Sequence, residues 1–462
     1  MGAAQTVTGS KHIITVKSGK RLLLDCGMFQ GMREEGEEMN RNMGFEAAEI
    51  DYLILSHAHI DHSGLIPKLV ADGFSGPIYA TPATWDLCSI MLADSAFIQK
   101  SDLKYPNRRR EKKGEPLLEP LYTEEDVKKA LSLFVEVPYR TEYKISDEIS
   151  FNFTDQGHVL GSAAVNLTIT EDEVIRTLTF TGDIGRPNDK ILRGPDPFPQ
   201  ADYIICESTY GNRLHESSVG AEEHLLKIVK ETCVIKQGKL IIPAFSIDRT
   251  QELVYALDRM ENAGILPRIK VFVDSPLSVK ATDIMRKHRE CYNDELLNYL
   301  KKDDDPFGFS NLYYISDVAK SKELNELKEP CIIISASGMA EAGRIKHHIR
   351  NNVENPNNTI LIVGYCSPFS LGGLLKAGEK EVKIFGEEFK VNAKVEVIDS
   401  YSAHADYSEM IGYLRCQNPK EVRKLFLVHG DTEAQEAFKT KLMNEGFEKV
   451  VIPHRFETFE IS

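Results

Sequence analysis

Residues 56–69 read SHAHIDHSGLIPKL and place His57, His59, Asp61 and His62 within six positions, directly after the apolar run DYLIL. In an extended segment alternate side chains share a face, so His57 and His59 point one way. Asp61 and His62 follow as the chain turns into the helix expected from SGLIPKL. Four ligand-type side chains are costly to crowd at one strand end unless a cation sits among them. The run therefore demands a strand that feeds straight into a helix, with two ligands for one metal and two for a second.

Four protein ligands do not complete such a centre, so other strand ends must supply the rest. Three candidates fit: His158 in DQGHVLGSAA, Asp183 in TFTGDIGR and His429 in LFLVHGD. A lone histidine in a loop is usually a satisfied turn or core residue. These three residues, however, each border an apolar run and sit beside glycine, where backbone can approach closely.

At 462 residues the chain is too long for one ordinary core, and two domains are expected. The net charge of −14 argues against a surface that coats polyanions generally, while leaving room for a local basic channel. Eight cysteines stand singly with no CxxC pair, so they read as reduced, mostly buried thiols. No apolar stretch approaches the ~20 residues of a membrane span, and the N-terminus shows no basic-then-apolar leader. A cytoplasmic protein without membrane partners is expected, with Gly2 structural rather than myristoylated.

The first two hundred residues read as short strands and hairpins, as in KHIITVKSGKRLLLDCG and SAAVNLTITEDEVIRTLTFTGD. From about residue 206 continuous apolar runs such as KLIIPAF and CIIISAS alternate with amphipathic helices, the mark of a parallel sheet covered on both faces. After about residue 390 the earlier style returns. The expected organisation is 1–205, an inserted domain at 206–390, and a return to the first domain at 391–462. Two linker-like runs stand out, LKYPNRRREKKGEPLLEP and the acidic LKKDDDPFGFS. The cluster Arg108, Arg109, Arg110, Lys112 and Lys113 suits either a phosphate-tracking segment or a solvated surface loop.

The HxHxDH run, the later His, Asp and His, and LLLDCG resemble the metallo-β-lactamase superfamily. More narrowly ESTYGNR, PAFSIDRTQEL, SASGM, GYCSPFSLGG, SAHADY and LVHGD resemble its β-CASP branch of nucleases. The resemblance implies an α/β protein, an αββα sandwich with an inserted β-CASP domain of parallel sheet flanked by helices. It implies two zinc ions, with manganese as a substitute: one on His57, His59 and His158, the other on Asp61, His62 and His429, with Asp183 between them. The implied activity is a ribonuclease that hydrolyses phosphodiester bonds of single-stranded RNA by a metal-bridging hydroxide, in RNA processing or decay. A homodimer is compatible with it.

By the same resemblance His404 in SAHADY is the proton donor and Glu207 in ESTYGNR orients it. Asp61, besides binding metal, is a candidate to accept a proton from the bridging water, although ligation lowers its basicity. Asp25 in LLLDCG is either a support behind the metal ligands or a turn-capping aspartate. SASGMAEAGRIKHHI places small residues before a helix, which suits phosphate binding, so Ser337, Gly338, Met339 and Arg344 are substrate-contact candidates, as is Ser402, two residues before His404. His347 and His348 read as helix-surface residues. DNA-processing relatives tend to replace the histidine of the LVHGD position, so its presence favours RNA. The competing readings are a small-molecule metallo-hydrolase of the same superfamily and a non-catalytic scaffold subunit. Relatives commonly carry a strand before GAAxxVTGS, whereas Met1 here directly precedes GAAQTVTGS, so the start is truncated or an edge strand is missing.

Overall fold

Short β-branched and aliphatic runs closed by turns build the first unit, Met1–Leu214 with Ala403–Ser462. The computed structural model describes residues 1–31, 33–215, 220–364, 366–398 and 402–461. Strands β1 (His12–Thr15), β2 (Arg21–Leu24), β3 (Tyr52–Ile54), β4 (Ile78–Ala80) and β5 (Phe134–Glu136) form one sheet in sequence order. β1 and β2 are an antiparallel hairpin and the rest run parallel. The connections carry α1 (Arg33–Arg41), α2 (Ile60–Ser63), α3 (Ile66–Ala71), α4 (Pro82–Asp102), α5 (Lys104–Lys113) and α6 (Glu124–Leu131). A second sheet starts with β6 (Tyr143–Lys144), β7 (Ile149–Asp155), β8 (Ala163–Glu171) and β9 (Val174–Phe180), an antiparallel meander that β10 (Tyr203–Glu207) joins in parallel.

The second unit spans His215–Ser402. Its strands are β11 (Leu240–Pro243), β12 (Lys270–Val273), β13 (Leu312–Tyr314), β14 (Cys331–Ser335), β15 (Thr359–Val363), β16 (Glu381–Ile384), β17 (Glu387–Lys390) and β18 (Lys394–Ile398). Six of them make a parallel sheet in the order β13-β12-β14-β11-β15-β18, and β16 and β17 form a separate hairpin. β11, β14 and β15 are buried at every position, as apolar runs covered on both faces must be.

The chain then returns to the first unit through β19 (Lys424–Val428) and β20 (Val450–Val451), completing the order β20-β19-β10-β9-β8-β7-β6. Leu22, Leu24 and Ile54 of the first sheet pack against Phe151, Phe153, Val165 and Phe180 of the second. On β10 and β19 the alternate residues Ile204, Cys206, Leu425 and Leu427 face outward, under Met410, Leu414, Phe438 and Leu442 of two later helices. This two-sided alternation is the αββα sandwich that the resemblance implied.

Three expectations need correction. Residue 206 lies inside β10, whose pairing with β9 and β19 keeps it in the first unit, and β18 pairs with β15, so 391–402 belong to the second. Apolar strands of either sheet read alike, which hid both boundaries. The helix after the histidine run starts at Ile60, not at Ser63, so Asp61 and His62 lie in its first turn. Finally, the basic run is a helix rather than a loop. Pro106 sits in its first turn, where no N–H is needed, and Gly114 ends it at φ +69. No described helix is long and apolar enough to cross a membrane.

One buried carboxyl in the second unit gives a pH prediction. Asp258 is 1% exposed, and Tyr299 donates a 2.6 Å bond to its Oδ2 while Oδ1 has no hydrogen-bond partner. Desolvation, with Asp303 and Glu261 nearby, pushes its pKa up to about 7. A raised carboxyl pKa means that the native state binds more protons than the unfolded chain between about pH 4 and about pH 7, so its contribution to stability falls as pH rises through that window. Asp258→Asn should therefore gain thermal stability over wild type as pH increases, with the Tm difference widening by roughly 2–4 °C from about pH 5 to about pH 8. A pH-independent difference would show that Asp258 ionises normally.

Candidate active site

Strand ends of the first unit converge on one buried cluster. The loop after β3 brings His57 and His59, the first turn of α2 brings Asp61 and His62, and the loops after β7, β9 and β19 bring His158, Asp183 and His429. The candidate ligand atoms of His57, His59, His158 and Asp183 all lie within 4.8 Å of one another, as do those of Asp61, His62 and His429. Asp183 faces both groups. Its Oδ2 is 3.6 Å from His57 Nε2 and 3.5 Å from His158 Nε2. Its Oδ1 is 3.2 Å from His62 Nε2 and 3.4 Å from His429 Nδ1.

The ring orientations are set from behind. His62 Nδ1 donates a 2.6 Å bond to Asp25 Oδ2, which turns Nε2 toward Asp183 Oδ1. Ser56 Oγ donates to Asp25 Oδ2 at 3.0 Å and receives His57 Nδ1 at 3.0 Å, fixing that ring in the same sense. Asp25 thus supports the cluster rather than merely capping a turn. Asp25 and His429 hold positive φ angles of 58° and 51°, a conformation that non-glycine residues keep only where their surroundings enforce it. Thr209 Oγ1, 3.1 Å from His429 Nδ1, steadies that ring.

Burial lowers the basicity of His57, His59 and His158, which keeps their imidazoles neutral and their lone pairs available. His59 Nδ1 is approached by two ring nitrogens, His57 Nε2 at 3.1 Å and His158 Nε2 at 3.2 Å. Asp183 Oδ1 is buried and accepts no hydrogen bond. Orphaning such an oxygen costs about 1–3 kcal/mol, and imidazole nitrogens converging with carboxylate oxygens are the donor set that suits a divalent cation. The residues fit a divalent metal.

His404 and Glu207 stand at the edge of this cluster. Glu207 ends β10 fully buried, and its Oε1 and Oε2 accept from the amides of Ile184 (2.5 Å) and Thr209 (3.3 Å). His404 bridges to Gly185 through its backbone and places Nδ1 3.3 Å from Glu207 Oε1 and 3.9 Å from Asp183 Oδ2. Desolvation lowers the His404 pKa, but the Glu207 carboxylate outweighs it and pushes the value up to about 9.

The other candidates lie in the second unit. Ser337, Gly338 and Met339 form the irregular turn between β14 and the helix Ile345–Asn352, and Ser402 is half-buried at the end of that unit. Gly338 has no room for a side chain, since a Cβ there would come within 2.7 Å of the Phe245 ring. Arg344 is not an open anion-binding side chain. Its Nη1 donates to Asp274 Oδ1 at 2.7 Å and its Nη2 to the Ser316 carbonyl at 2.6 Å. His348 is buried, contrary to the surface reading, and its Nε2 meets Asp274 Oδ2 at 2.7 Å; His347 is exposed. A carboxylate as buried as Asp274 requires such partners.

Sequence reasoning missed Ser56 and Thr209. Both stood inside quoted motifs, yet a short hydroxyl at a strand end carries no spacing signal of its own.

Family models match three stretches of the chain. The metallo-beta-lactamase superfamily matches residues 12–82, the Beta-Casp domain 250–375, and the Zn-dependent metallo-hydrolase RNA specificity domain 388–453. The chain is 33% identical over 432 residues to ribonuclease TTHA0252 of Thermus thermophilus, covering 94% of this chain and 92% of that protein. It is 30% identical over 451 residues to transcription termination factor FttA of Methanosarcina mazei, covering 94% and 67% respectively. It is also 30% identical over 434 residues to an RNase J-like protein of Methanocaldococcus jannaschii, covering 93% and 91%.

Proposed function

The chain belongs to the β-CASP branch of the metallo-β-lactamase superfamily, and from that membership we propose that it is a metal-dependent ribonuclease hydrolysing phosphodiester bonds of single-stranded RNA. The observation that carries the reading is Asp183, whose two oxygens face two separate donor groups with the His404–Glu207 pair alongside. In this reading His57, His59 and His158 hold one zinc, Asp61, His62 and His429 hold another, and Asp183 serves both, with manganese able to replace zinc. Divalent cations there supply Lewis acidity, lowering the pKa of water and offsetting charge that develops at phosphorus.

The chain's own groups do the rest. Glu207, fixed by two backbone amides, holds His404 by Nδ1 and favours its protonated form. A protonated imidazole can then give its proton to the departing ribose oxygen. In this reading Asp61, besides serving as a ligand, also takes up the proton released from water. Ser337, Gly338, Met339 and Ser402 are retained as substrate contacts through backbone and hydroxyl groups, and Arg344 acts by bracing their turn through Asp274. The eight cysteines are thiols, seven of them buried, which supports a reducing, cytoplasmic setting. A homodimer belongs to the same reading and is checked by solution mass.

The test is cleavage of an end-labelled single-stranded RNA and a matched DNA by metal-loaded protein, with and without chelator. RNA should be cut, DNA spared, and cutting lost on chelation and restored by zinc or manganese. Undiminished cleavage after metal is stripped to below one equivalent per chain would refute the reading.

A further inference from the structure

α5 is a strongly basic helix in an acidic chain. Within Lys104–Lys113, Lys104, Arg108, Arg109, Arg110, Lys112 and Lys113 face one acid, Glu111, although the protein's net charge is −14. None of its residues is buried. Its two sides differ. On one, Asn107 exchanges two hydrogen bonds with the backbone of Leu118 (2.9 and 2.8 Å), and Arg110 donates to the Pro116 carbonyl (2.6 Å) and pairs with Glu115 (3.2 Å). These bonds staple the helix to the following segment.

On the other side Tyr105, Arg108, Arg109 and Lys112 stand at i, i+3, i+4 and i+7, a spacing that lines side chains along one face about 5–6 Å apart. Tyr105 is 68% exposed, with the Arg109 guanidinium 5.8 Å from its ring centre. Among the described residues the ion pairs of this helix run from Arg110 and Lys113 to Glu115, and Arg108, Arg109 and Lys112 have no carboxylate partner. Holding six cations together on a helix that buries nothing adds no packing energy, and like charges at this spacing repel.

The helix also has a fixed relation to the metal cluster. Thr81, which caps α4, and Thr84 in its first turn both donate to the carbonyl of Gly161 (2.7 and 2.9 Å), in the loop that carries His158. α4 has 21 residues, a length of about 30 Å, and α5 begins where it ends. Unpaired cations interleaved with an exposed aromatic ring suit a single-stranded polynucleotide, which offers phosphates and stacking faces in alternation.

The geometry points to the Tyr105–Arg108–Arg109–Lys112 face of α5 as an accessory binding surface for the RNA chain, roughly nine stacked nucleotides from the scissile phosphate at about 3.4 Å each. This rests on the ribonuclease reading. The surface engages phosphates through the three cations and one base through Tyr105, and it acts only on substrates long enough to reach it.

The test compares metal-loaded wild type with R108Q/R109Q/K112Q, R108K/R109K and Y105A on single-stranded RNAs of about 6 and about 30 nucleotides, read as kcat/KM across a salt series. In the triple variant the long-to-short ratio of kcat/KM should fall about tenfold. The slope of log kcat/KM against log salt on the long RNA should shrink by about 2, at ~0.7 per lost phosphate contact. R108K/R109K, which keeps the charge, should restore both, whereas Y105A should lower the ratio several-fold with the slope unchanged. A triple variant with the wild-type ratio and slope overturns the assignment and leaves the helix to a protein partner. Wild type that cuts neither RNA overturns the ribonuclease reading and this one with it, a failure visible before any variant is compared.

Discussion

An Asp183→Asn protein is expected to lose RNA hydrolysis by about 10³-fold or more, and to retain less metal than wild type in both donor groups. The substitution keeps the side-chain shape and changes two things. It removes the negative charge that His57, His62, His158 and His429 all face at 3.2–3.6 Å. It also turns one oxygen into an amide N–H₂, which donates rather than accepts and opposes a cation. Because both oxygens are in use, no rotation of the amide satisfies both groups. Metal per chain by mass spectrometry, taken with kcat on the same preparation, checks this. Full metal content with unchanged kcat would show that Asp183 serves neither group.

His404→Ala is expected to lower kcat on RNA by about 10²–10⁴-fold, the range for losing a general acid, while leaving metal content at the wild-type level. His404 lies outside the two groups made by the seven clustered side chains and forms a third with Glu207 and Asp183, its Nδ1 3.3 Å from Glu207 Oε1. The diagnostic is the leaving group. A nitrophenyl phosphodiester releases a stable phenolate that needs no proton, so the variant should be nearly as active as wild type on it. An equal defect on both substrates would assign His404 to positioning or binding rather than to proton transfer.

The seven clustered donors were legible because chemistry forced them into recognisable places. His57, His59, Asp61 and His62 crowd one turn, and His158, Asp183 and His429 each stand at the end of an apolar strand beside glycine. The parallel sheet was legible from unbroken apolar runs. What escaped notice depends on partners distant in sequence. His348 is buried only because Asp274, 74 residues away, needs it, and the same carboxylate claims Arg344. Asp25 reads two ways in the sequence, and only Ser56 and His62 around it in the fold decide between them. Pro106 and Gly114 look like loop formers in a string, but one begins a helix and the other ends it.

The second sheet of the first unit is closed by β19, which lies between β10 and β20 and reaches the sheet only after the whole of His215–Ser402 has been made. A ribosome-bound chain that has emerged as far as Ser402 therefore carries six of the seven clustered donors, but neither His429 nor His404. Loop-closure entropy for so long an insertion grows only slowly with its length. The delay in assembling the centre is thus set by synthesis and by docking of a late strand, not by a steep thermodynamic cost. A chain cut short before β19 would lack both His429 and the strand that joins β10 to β20, and should show no RNA cleavage.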